Sequence, residues 1–68
     1  MKKVNLQLAG LNGNAFSLMG AFAKQAGREG WSHDEINQVL NEAQQGDYDH
    51  LLRTLDSRCE QRNEVEDD

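Results

Sequence analysis

Trp31-Ser32-His33-Asp34-Glu35-Ile36 is the stretch from which the fold can be read. Ser32 and Glu35 stand three apart, the spacing at which a serine hydroxyl and a glutamate carboxylate each take up a free backbone N–H at a helix start, and Trp31 and Ile36 have the spacing of a hydrophobic staple. A helix therefore begins here. Ile36, Val39, Leu40 and Ala43 follow at i, i+3, i+4 and i+7, one apolar stripe on a polar helix that Gly46 ends. Asp47 then stands as a cap, and Tyr48, Leu51, Leu52, Leu55 and Cys59 repeat the spacing, predicting a third helix to about Cys59, with Asp49 and Arg53 as an i, i+4 ion pair.

Upstream, Ala15, Leu18, Met19, Phe22 and Ala26 predict a first helix to about Arg28, capped by Asn12 or Asn14 and stopped by Gly27 and Gly30. Lys24 and Arg28 lie near its C-terminus, where cations meet the negative end of the helix dipole. Phe16 falls outside the stripe, so this helix is apolar over more than half its circumference and calls for two partners: the other helices, and the face of a preceding strand. That strand is residues 3–8, Lys-Val-Asn-Leu-Gln-Leu, whose alternation puts Val4, Leu6 and Leu8 on one face. Gly10-Leu-Asn-Gly13 is the turn that follows, with Gly10 and Gly13 free to take positive φ.

The expected architecture is mainly α: a short N-terminal strand or arm, then a three-helix bundle in one domain over residues 1–59, then an acidic tail, 60–68, expected to be disordered. No other stretch alternates, and a strand needs a ladder partner. An antiparallel pairing of residues 3–8 across a two-fold axis, making a homodimer, is the leading expectation; the alternative is an arm laid against helix one or offered to another protein's sheet edge.

From Gly30 to Leu55, the Gly-Trp turn, the capped helix, the Gly46-Asp47 turn and the Leu51, Leu52, Leu55 helix resemble the last two helices of ubiquitin-associated (UBA) domains, and residues 14–58 as a whole fit a UBA-like three-helix pattern. The family's Met-Gly-Phe loop would have to be Gly30-Trp31, preceded by Glu29, whereas Leu18-Met19-Gly20 lies inside helix one. The resemblance implies a UBA-like architecture and lends no site residues. The chain also resembles the small proteins common in bacteria and their phages, a likeness that carries no activity.

Charge divides the sequence. Residues 1–28 hold four bases and no acid; residues 29–68 hold twelve acids and three bases, five of the acids in the last nine positions. Lys2, Lys3, Lys24 and Arg28 are the candidate nucleic-acid contacts, opposed by an acidic half that repels phosphate, so nucleic acid is the second reading. One cysteine, Cys59, leaves no internal disulfide, and the lysine-rich start lacks an apolar leader core, which together lead to the expectation of a cytoplasmic protein. No run approaches the ~20 apolar residues of a membrane span.

Catalysis is not expected, nor is a cofactor or metal. The Gly10–Gly13 turn lacks the Lys-Ser/Thr ending of a phosphate loop. His33, His50 and Cys59 have no zinc-motif spacing, and Asp47 and Asp49 lack the later ligands of a calcium loop. Asp34 and Glu35 are first-turn acids that suit the helix dipole. What remains is a protein-interaction or regulatory module, with Val4, Leu6, Leu8 and Trp31 as candidate partner contacts.

Overall fold

A computed structural model describes residues 2–60. Three helices follow one another, α1 (Ala15–Arg28), α2 (His33–Ala43) and α3 (Tyr48–Ser57), with no sheet among the described residues. Every expected helix is present, and the caps are the ones expected. Asn14 accepts from the N–H groups of Phe16 and Ser17 at the start of α1. Ser32 and Glu35 form the full capping box of α2, and Asp47 accepts from the N–H of His50 on α3. Helix α3 ends at Ser57, slightly before the expected boundary, because Arg58 is its C-cap and the chain then turns into an extended contact.

The stop after α1 is built from hydrogen bonds. The N–H of Gly30 donates to Gly27 O and that of Trp31 to Ala26 O, the paired bonds of a Schellman turn. Gly30 sits at φ +89°, the left-handed conformation this turn demands. Its geometry delivers Trp31 back onto α1, where the indole meets Phe22 edge-on at a centroid distance of 5.5 Å. Val4, Leu18, Phe22, Ala26, Trp31, Val39, Ala43, Leu51, Leu55 and Cys59 form the core, with Leu6, Leu8, Met19, Ile36, Leu40 and Leu52 packed against it.

The N-terminal segment departs from expectation. Residues 3–8 do not form a strand; they make one parallel bridge, Val4 to Cys59. The N–H of Val4 donates to Arg58 O at 2.8 Å, and the N–H of Glu60 donates to Val4 O at 2.7 Å. The N–H of Leu6 also donates to Val4 O, so the chain bends at Asn5 and the ladder stops after one residue. The alternation survives as burial, with Val4 fully covered, Leu6 and Leu8 half-buried, and Lys3, Asn5 and Gln7 exposed. The missing partner of the arm is thus the residue pair flanking Cys59 in the same chain, and the observation that led to an arm-paired homodimer is removed. Gly10 takes positive φ in the turn that follows, whereas Gly13 does not. The tail expected to be disordered lies, from residue 61 onward, outside the described residues.

Candidate interaction surface

Two carboxylates fasten the arm. Glu29, the C-cap of α1, accepts from the N–H of Asn5 at 2.8 Å and from Gln25 Nε2 at 2.7 Å. Glu35, already part of the α2 capping box, also accepts from Lys2 Nζ at 2.9 Å. Hydrogen bonds from Gln25 and Asn5 hold the Glu29 carboxyl below its ordinary range, and those from Lys2 and Ser32 do the same for Glu35. Lys2 Nζ also lies 5.2 Å from the Trp31 ring centroid, a cation–π distance. The arm is therefore tied across the turn between α1 and α2, and Trp31 lies beneath it.

This arrangement fixes the candidate residues found in the sequence. Val4 is buried against Cys59, and Leu6 and Leu8 pack on the core, so none of the three stands out as a free contact. Trp31 is 7 % exposed, a core side chain whose edge forms part of a groove of about 420 Å³ with Ala23, Ile36 and Leu40. Of the four candidate nucleic-acid contacts, Lys2 is engaged with Glu35 and Trp31. Lys3, Lys24 and Arg28 are exposed, the last two on the final turns of α1.

The surface that sequence reasoning did not single out lies at the other end of α1. Among the described residues, the large hydrophobic side chains left exposed are Leu11, Phe16 and Tyr48, and Phe16 is 81 % exposed. Phe16 and Tyr48 (46 % exposed) line one groove of about 330 Å³ together with Ala15, Met19, Ala43 and Leu51. Helix geometry explains the exposure. Phe16 and Phe22 are six residues apart, about 600° of rotation at ~100° per residue, which sets the two rings about 120° apart around α1 and lets one be buried while the other faces water. The sequence signal was present in the departure of Phe16 from the α1 stripe. The expected second partner, the Val4–Leu6–Leu8 face, goes elsewhere and leaves the ring uncovered.

The groove is held in place from both sides. The Tyr48 hydroxyl donates to Gly13 O, tying the start of α3 to the loop before α1. His50 Nε2 donates to Glu42 O at 2.9 Å, closing the last turn of α2 onto α3. These two contacts tie the start of α3 to the loop before α1 and to the end of α2.

Among the described residues no three of His, Cys, Asp and Glu gather as a metal-ligating group. Burial pushes the Cys59 thiol up to about 11, with Asp56 and Glu29 adding to the effect, so the protonated form predominates at neutral pH. No described helix is long and apolar enough to cross a membrane. Searches of known protein families, curated proteins and solved structures return no match to this chain.

Proposed function

We propose that this chain is a small protein-interaction module that takes a partner on the Phe16–Tyr48 groove. The observation that carries the reading is the exposure of Phe16, a large ring at 81 % exposure beside a second exposed aromatic on one apolar depression. Isolated exposed hydrophobics are ordinary, but aromatics clustered at a fixed groove are the side chains that anchor protein contacts. The groove is small, which suits a short segment of a partner and a transient complex rather than an obligate one. The UBA-like order of three short helices is consistent with an adaptor role and is part of the same proposal. A partner at this surface replaces the earlier expectation of contacts centred on Trp31 or on the arm, because the indole and Val4 are already covered.

A photo-crosslinking phenylalanine analogue placed at position 16, in the cell that makes the protein, tests this reading. Crosslinked protein adducts are expected at position 16 and not at Arg53, an exposed position on α3. Equal yields at the two positions would overturn it.

A further inference from the structure

The partner's charge can be argued from one wall of the groove. From residue 29 to residue 52 the chain carries Glu29, Asp34, Glu35, Glu42, Asp47 and Asp49 and neither lysine nor arginine. This stretch supplies the groove side from Ala43 to Leu51, with Asp47 on the rim. Glu42 and Asp49 are exposed nearby in sequence, on the last turn of α2 and the first of α3; Asp49 is 3.4 Å from Arg53, and Glu42 Oε2 is 4.0 Å from His50 Nε2. The opposite wall, Ala15, Phe16 and Met19, is uncharged, and its first base is Lys24, eight residues or about 12 Å further along the helix axis. The positive ends of α1 and α3 that open on this side are already met by Asn14 and Asp47.

The backbone narrows the occupant further. Adding a strand requires a free sheet edge, and both backbone groups of Val4, where the chain makes its single bridge, are used within the chain. A depression between helices, with apolar floor and charged rim, takes the apolar face of a helix instead.

Resting on the groove reading above, we infer that the occupant is an amphipathic helical segment of another protein, whose apolar face covers Phe16 and whose flanking lysines or arginines face the acidic rim at Asp47. Complementary charge of this kind speeds encounter and fixes orientation, while the apolar anchors supply most of the affinity. The same rim disfavours nucleic acid as the occupant of this groove, since its phosphates would meet a carboxylate.

The experiment is selection of a displayed library of short random peptides on the intact chain. Selected ligands are then measured by titration calorimetry against wild type, Phe16→Ala and the pair Asp47→Asn with Asp49→Asn. Asparagine retains the capping oxygen at position 47, so the double variant removes charge while keeping the helix start. Circular dichroism verifies that each variant is folded. The expected ligands carry apolar residues at helical spacing and a net positive charge. Their binding should weaken about tenfold or more in Phe16→Ala and about threefold in the charge variant, an effect that salt erases.

Ligands that need Phe16 but are neutral or acidic would overturn the charge inference and leave the groove reading standing. Ligands indifferent to Phe16→Ala, or no enriched ligand at all, would overturn both. A wild-type dimer by light scattering that Phe16→Ala dissolves would make a second copy the occupant and overturn the inference in favour of self-association.

Discussion

Helix α1 carries two phenylalanines with opposite fates. Phe22 is fully buried and meets Trp31 edge-on, while Phe16, six residues earlier, is almost bare in the groove it shares with Tyr48. Phe22 pairs with the ring of Trp31, whereas Phe16 only shares the lining of a groove with Tyr48. The difference lies in what closes over them: the Schellman turn and the arm seal Phe22 and Trp31, and nothing in the described chain covers Phe16. Residue type alone therefore does not separate core from contact surface here. Position on the helix and the route of the arm do.

The comparison breaks most sharply under truncation. Phe22→Ala should cost about 3–5 kcal/mol and Phe16→Ala less than about 0.5 kcal/mol, read from urea unfolding followed by circular dichroism. A 68-residue domain has roughly 3–10 kcal/mol of stability in total, so the first variant should be substantially unfolded and the second native. Similar losses at the two positions would mean that Phe16 is covered.

The arm is the next test. Val4→Ala removes a fully buried side chain and should cost roughly 2 kcal/mol, far more than the same change at an exposed arm position such as Gln7. Cys59, its bridge partner, reports on the same closure: in the native protein a thiol reagent should label it slowly, and Val4→Ala should raise that rate. An unchanged labelling rate would separate the arm from the burial of the thiol.

Gly30→Ala addresses the seal over Trp31. A side chain at φ +89° costs about 1–2 kcal/mol, and part of the loss should appear as a red-shifted tryptophan emission if the turn loosens.

The smallest effect is on pH dependence. Glu29 and Glu35 have lower pKa values in the folded protein than the ordinary 4.5, so the stability they contribute is present above that value and is lost as pH falls through their lowered pKa values. Both are surface groups, so replacing them with glutamine should flatten the acid limb of the stability curve only slightly, with little effect at neutral pH.

How much of this was legible in the sequence follows from the range over which each contact acts. The capping box at Ser32 and Glu35, the Asp47 cap and the Gly30 stop involve residues within six positions of one another, and their spacing alone discloses them. The pairing of Val4 with Cys59 spans most of the chain and engages one residue on each side, so no periodic pattern betrays it. An alternating segment with no visible mate then reads as a strand awaiting a second copy, although its mate is the segment just after α3. The groove was half legible: Phe16 was visibly off the stripe, but which surface would cover it depended on the unseen course of the arm. Trp31, by contrast, could be placed only as a staple, because its burial depends on the Lys2 side chain and the Schellman turn together.

The contact between Val4 and Cys59 also sets an order of events in time. As the chain is synthesised, the helices can form in turn from local signals, but the arm has no seat until the segment after α3 has emerged. Until then the pocket that Val4 fills stays open and the Trp31 corner is unfastened. Val4 can dock only after residues 58–60 have been made, and a chain halted before Cys59 would leave this corner unsealed.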